Sequence, residues 1–249
     1  MNEVPGFVGT HTPRNAYSGA VELAAARNAL ERWGCAVVTC LLPWEVRFAV
    51  AEEAIRLVER AGIRRDLVVA ETGATPRRMR NVTRAQIVER GSVIPQLYES
   101  AAVTSVVEQV VRRAVFRCPY EPEQFVITRL EAAGDTHGWH WDDYSFALVW
   151  VAECPPEDDG GFVEYVPDTV WDKRSPDVET ILVGQSVHRL AVGAGEVYLM
   201  RTNTTLHRVY PIRRGRRTIV NMAFAVAEEL CAEVSHETMD TLWATSGIE

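Results

Sequence analysis

Residues 18 to 33, SGAVELAAARNALERW, place their apolar positions three and four apart, which predicts an amphipathic helix with Ser18 as N-cap and Gly34 as its stop. CAVVTCLL follows as a short apolar, partly β-branched run, predicting a strand closed by Pro43. PWEVRFAVAEEAIRLVERAG returns to the helical period, with proline in its first turn and glycine past its end. The pattern then fades. Residues 62 to 96, which include ETGATPRRMRNVTRAQIVERGSVIP, are polar and basic with turn residues and weak periodicity. A stretch of that length without clear structure is expected to be a lid or binding loop. A further helix is expected over about residues 96 to 114.

From Cys118 the period changes. QFVITRLEAA, FALVWVAEC, GGFVEYVP, ETILVG, HRLAVGAGEVYLMR, LHRVYPI and RRTIVNMAFAVA are short β-rich runs punctuated by Gly, Pro, Asp and Asn, as in an antiparallel sandwich or barrel. RRGRR between the last two has the composition of a hairpin turn, and ETMDTLWATSGIE that of a short closing helix. No repeat or linker divides the chain. The expectation is one α+β, mainly β domain over residues 1–249: a mostly helical flank and candidate lid over 1–117, a β core over 118–230 and a C-terminal tail over 231–249.

Composition narrows the picture. The chain is 47% hydrophobic and 24% charged, an ordinary globular balance, and its net charge of −8 argues against nucleic acid or an acidic membrane as partner. The five cysteines, Cys35, Cys40, Cys118, Cys154 and Cys231, form no CxxC and suit a reducing cytoplasm. The start of the sequence lacks a signal-peptide pattern, and no apolar run is long enough to span a bilayer.

The chemistry concentrates in THGWHWDDYSFALVWV, residues 136 to 151. His140 and Asp142 are two residues apart, so on a strand both side chains reach one point while Trp141 points away. An imidazole and a carboxylate on one face are two thirds of the triad that binds non-haem Fe(II) and leaves positions open. A histidine from a distant strand would complete it. His207 and His188 are the candidates, and His207 has the better company in LHRVYPIRRGRR. On the strand after it, Arg217, Ile219 and Asn221 would share a face, and a guanidinium there could clamp a carboxylate.

This combination resembles the Fe(II)- and 2-oxoglutarate-dependent oxygenases, whose fold is a double-stranded β-helix, or jelly roll, with flanking N-terminal helices. More narrowly, HGWHWDDYSFALVWV and CPPEDDGGFVEYVP are similar to a subfamily that hydroxylates or chlorinates free amino acids such as lysine. The resemblance implies His140, Asp142 and His207 as iron ligands, 2-oxoglutarate as cosubstrate and O2 as oxidant. Arg217 would hold the distal carboxylate of 2-oxoglutarate, with Arg213 as rival. In the halogenases of that subfamily a glycine replaces the aspartate and chloride takes the vacated place; here the residue is Asp142, which implies a hydroxylase.

On the substrate side, the resemblance points to His137 and Asp143 beside the metal motif and to Arg77 in the candidate lid. Glu123, before a strand, could pair with an ammonium; Asn221, among apolar neighbours, needs a buried partner; Trp243 could close over the site. Glu123 and Asp143 together suit a free basic amino acid, lysine-like in chemistry. Trp139, Trp141, Trp150 and Trp171 are expected in the core. Halogenation or desaturation is the alternative within the family, and a non-catalytic jelly-roll metal-binding module the alternative outside it. A cupin-like dioxygenase without cosubstrate would use more histidines and no such arginine. The partners expected are a small amino-acid substrate, no nucleic acid and no membrane; a homodimer stays open beside a monomer.

Overall fold

The first helix, α1 (Ala16–Trp33), stops where Gly34 takes φ +69° and gives its N–H to the Leu30 carbonyl at 3.0 Å. A Cβ at that left-handed position would also meet Thr205 Oγ1 at 2.6 Å. The helix is described from Ala16, so Ser18, expected as its N-cap, falls within it. The computed structural model describes residues 16–244, so the expectation of no signal peptide falls outside the described residues. No helix among the described residues is long and apolar enough to cross a membrane.

Strand β1 (Cys35–Val37) is shorter than its apolar run. The Thr39 hydroxyl accepts the Val197 N–H at 2.9 Å, and a turn of 3-10 helix replaces the rest of the strand. Pro43 is the N-cap of α2 (Trp44–Ala61), and Gly62 closes that helix through its N–H to the Val58 carbonyl.

The expected loop over 62 to 96 is a β-hairpin followed by helices. β2 (Ile63–Val69) turns back at Gly73, φ +75°, into β3 (Thr75–Val82). In β3 the alternate residues Thr75, Arg77, Met79 and Asn81 are all buried, so the period of two is present. Two of its inward members are Arg77 and Asn81, and polar residues at inward positions hide an alternation read from hydrophobicity alone. Thr83 then caps α3 (Arg84–Arg90) with a reciprocal capping box to Gln86. The single helix expected next is two, α4 (Val93–Glu99) and α5 (Ala101–Val111), separated at Ser100, whose hydroxyl accepts the Ala102 N–H.

The remaining strands are β4 (Phe116–Arg117), β5 (Phe125–Leu130), β6 (Thr136–His140), β7 (Phe146–Glu153), β8 (Val163–Val166), β9 (His188–Leu190), β10 (Val197–Arg201), β11 (Leu206–Val209) and β12 (Arg217–Ala225). ETILVG, read as β-rich, is instead helix α6 (Val178–Gly184): the Asp177 carboxylate caps it through the Thr180 N–H, and Val178 is its one buried side chain. The tail holds α7 (Glu237–Trp243).

All pairings are antiparallel, in the order β1-β10-β7-β12-β5-β3-β6-β11-β8-β9, with β2 beside β3 and β4 beside β12. The N-terminal 117 residues are thus no mere flank, since they supply four of these strands. Residues of β7, β12, β5, β3, β6, β11 and β8 line one cavity, so the sheet curls on itself as a jelly roll. Its outer face carries Leu148, Trp150, Val220 and Met222, which pack with Leu30, Val50, Leu57 and Val58 of α1 and α2. β11 pairs with β6 and β8, whereas β12 pairs with β5, β7 and β4. RRGRR therefore carries the chain between the two layers and does not close a hairpin. Cys35, Cys118, Cys154 and Cys231 are free thiols.

Candidate metal centre and its cavity

His140 ends β6 and stands directly opposite His207 of β11. Their ring centroids are 4.1 Å apart, and Asp142, just past the strand, brings Oδ1 to 3.6 Å from His140 Nε2. One ligand atom from each of the three lies within 4.8 Å of the others. Each imidazole has its Nδ1 on a backbone carbonyl: Gly138 at 2.7 Å for His140, Thr205 at 2.9 Å for His207. A carbonyl can only accept, so Nδ1 carries the proton and Nε2 is left with its lone pair toward the cluster. Burial holds both imidazoles below their ordinary pKa, which keeps them neutral. Burial also raises Asp142, against the opposing pull of His207 and Arg77.

Two neutral imidazoles and one carboxylate, all converging and with no fourth protein ligand among the described residues, fit a single Fe(II) ion with open positions. His188 is elsewhere, packed against Trp33 and Tyr165.

A bulge brings in His137. On β6 the residues opposite His207 and Val209 are His140 and His137, so one extra residue sits on β6. That shift turns both His137 and His140 into the cavity, where a regular strand would turn them to opposite faces. The two rings stack at 3.8 Å.

Arg217, Ile219 and Asn221 line the cavity from β12, as the period of two predicts. Arg217 is buried, donates to the Tyr198 hydroxyl, and leaves Nε and Nη2 without partners. Such orphaned donors suit a carboxylate that the protein itself does not supply. Arg213 is exposed on the crossover and does not line the cavity, which corrects its candidacy.

Arg77 also faces in. Its guanidinium donates only to neutral oxygens, Thr75 Oγ1 at 2.9 Å, Pro76 O at 3.2 Å and Thr72 Oγ1 at 3.2 Å among them, and burial lowers its pKa to about 10. Glu123, Asp143 and Asn221 each line the cavity with one buried, unpartnered oxygen. Burial lifts Glu123 well above the usual carboxylate range, and lifts Asp143 to about 6.

Trp243 does not line the cavity: it packs beside Met79 and Leu130 with Arg65 over its ring. The same helix offers Thr238, Met239 and Leu242 instead. Sequence reasoning missed these, and it missed Tyr198, although the alternation of Tyr198 and Met200 on β10 matches that of the other inward strands. Trp139, Trp141 and Trp150 are buried in the core; Trp141 donates from its indole to Thr169 Oγ1 and also borders the cavity.

Comparison with solved structures places this arrangement among known ones. The epimerase SnoN in complex with Fe3+, alpha ketoglutarate and nogalamycin RO superposes with TM-score 0.64 at 15% identity, covering 92% of each chain. A prolyl hydroxylase from Trichoplax adhaerens in complex with a hypoxia inducible factor peptide fragment gives TM-score 0.64 at 12% identity, covering 91% of this chain and 99% of that one. AviO1 from Streptomyces viridochromogenes Tue57 gives 0.62 at 17% identity, covering 82% and 95%. These likenesses establish the jelly-roll fold. No curated protein matches the chain in sequence. The model of the halogenase D family does match, over residues 19–244, a span that holds every strand of the sheet and every residue of the cavity, and the chain belongs to that family.

Proposed function

We propose that the chain is an Fe(II)- and 2-oxoglutarate-dependent hydroxylase of a free amino acid with a basic side chain. Asp142 carries the reading. Its carboxylate stands with His140 and His207 at the place where a chlorinating relative of the kind described above would have glycine, so the position for chloride is taken. When bound, iron with 2-oxoglutarate and O2 supplies the oxidising power to hydroxylate an unactivated C–H bond, with succinate and CO2 released.

The chain's own residues bind and orient. Arg217, with Tyr198 beside it, is suited to the distal carboxylate of 2-oxoglutarate, because two of its buried nitrogens have no acceptor among the described residues. Arg77 is suited to the substrate carboxylate, since its hydrogen bonds among the described residues go to neutral oxygens and it forms no ion pair with them, feeling the charge of Asp142 without bonding to it. Glu123, Asp143 and Asn221 offer inward oxygens to an amine, and His137 borders the same space. α7 adds Met239 and Leu242 to the cavity wall, apolar surface suited to keeping water from the reacting carbon.

The test is anaerobic addition of Fe(II) and 2-oxoglutarate, watching for the weak visible charge-transfer band, then admission of air with pools of free amino acids and chloride. The expected result is a band, succinate formed with basic amino acids, and a product heavier by one oxygen. A chlorinated product would favour the halogenase reading that the family's description suggests. No band and no succinate would end the oxygenase reading and leave a metal-binding module.

A further inference from the structure

Lys173 is the only lysine among the 26 Lys and Arg residues of the chain. It lies between β8 and α6, outside the cavity, and its ammonium is surrounded. Asp143 Oδ1 is 2.5 Å away, the Ser235 carbonyl and its hydroxyl also accept from it, Glu237 Oε2 is 3.8 Å away, and the Trp171 ring lies 4.6 Å beneath. Three stretches of chain meet on this one group: the metal motif, the loop after β8, and the segment that enters α7.

The other end of the contact matters for the cavity. The Asp143 side chain is 1% exposed and lines the cavity, and its Oδ2 is buried without a partner while Oδ1 is held from outside. Glu123 accepts the Asp143 backbone N–H and leaves its own Oε2 unpartnered in the same wall. The segment tied by Lys173 leads to Thr238, Met239 and Leu242, which line the cavity.

Resting on the hydroxylase reading, we propose that Lys173 is a positioning residue: it grips one oxygen of Asp143 from behind, so that the other is presented to the substrate, and it fastens α7 over the cavity. Lysine suits this place and arginine does not. Three oxygens, from Asp143, the Ser235 carbonyl and the Ser235 hydroxyl, meet the three N–H donors of a tetrahedral ammonium, whereas a guanidinium is a flat fork. In a chain that otherwise uses arginine for every cation, this is where the geometry requires the alternative.

A sole lysine makes the grip directly observable. Apoprotein labelled with [15N]lysine should show one slowly exchanging ammonium signal at neutral pH, and Asp143→Asn should abolish it. No signal in the wild type, or the same signal in Asp143→Asn, would overturn the grip. In the iron-loaded enzyme with L-lysine as probe, Lys173→Met should raise KM by about tenfold or more, leaving kcat and the KM for 2-oxoglutarate unchanged. Lys173→Arg should fail to restore it. An unchanged KM in Lys173→Met, with the protein folded, would mean that Lys173 shapes nothing in the cavity. If the wild type turns over no amino acid, it is the function that fails; a crystal structure of apo Lys173→Met still decides the positioning role, which is lost if Asp143 keeps its orientation.

Discussion

His140 and His207 face each other across paired strands, and each gives its Nδ1 proton to the carbonyl of the residue two positions before it. The relation fixes both tautomers by backbone alone, with no second carboxylate. For His140 the acceptor is Gly138, where an added Cβ would come within 2.7 Å of the Pro76 carbonyl and 3.0 Å of its nitrogen. Both are backbone atoms of β3, so the strands would have to part. Gly138→Ala should therefore cost about 1–3 kcal/mol of stability and weaken divalent-metal binding by about tenfold or more. Thermal unfolding and metal titration of the apoprotein check the two halves separately; a variant as stable and as tight as the wild type would remove the claim.

The carboxyl of Glu123 is raised well above 4.5, by burial first and by the charge of Asp143 next. A raised folded pKa means that the folded chain takes up the proton more readily than the unfolded one. Its contribution to stability is complete below the unfolded value and is lost as pH rises through the folded value. Glu123→Gln keeps the shape and removes the charge. The variant should melt higher than wild-type apoprotein at pH 8, with a smaller gain at pH 5, and added L-lysine should stabilise it less than it does the wild type. A gain equal at both pH values would contradict the assignment.

Arg217 is buried with two nitrogens unpartnered, whereas Arg213 is exposed. Arg217→Met should raise the KM for 2-oxoglutarate by about thirtyfold or more, the ratio that corresponds to ~2 kcal/mol for losing one side of a buried charge pair. Arg213→Ala should leave that constant unchanged. The reverse pattern would return the cosubstrate to Arg213.

Much of this site was legible in the chain, and the physical reason is periodicity. The alternation along β12 puts Arg217, Ile219 and Asn221 on one face, and the spacing of His140 and Asp142 joins them at one point. What failed did so for reasons of the same kind. β3 has the right alternation, but Arg77 and Asn81 stand at its inward positions because they face a polar cavity, and a hydrophobic pattern cannot see them. His137 and His140 have opposite parity, so only the bulge reconciles them, and a bulge leaves no mark in the composition of THGWH. Trp243 lies on the right helix but on the wrong face: α7 turns Met239 and Leu242 inward and packs the tryptophan toward Arg65. Lys173 was invisible because its partners, Asp143 and Ser235, are remote in sequence.

Asp142 is the residue on which hydroxylase and halogenase part. Its side chain is 19% exposed and brings Oδ1 to 3.6 Å from His140 Nε2, with His207 in the same cluster, so shortening it to glycine opens a space beside that cluster without disturbing the carbonyl partners of the two imidazoles. Wild-type protein should bind iron with the same affinity in chloride-free and chloride-containing buffer, because a carboxylate already supplies the anion. Asp142→Gly should lose hydroxylation by about 100-fold or more, and its iron affinity should become chloride-dependent, since an external anion would then replace the one removed. Iron titrations with and without chloride, and product mass in each, decide the matter. Hydroxylation that survives in Asp142→Gly at the wild-type rate would show that the carboxylate is no ligand, and the reading built on it would fall with it.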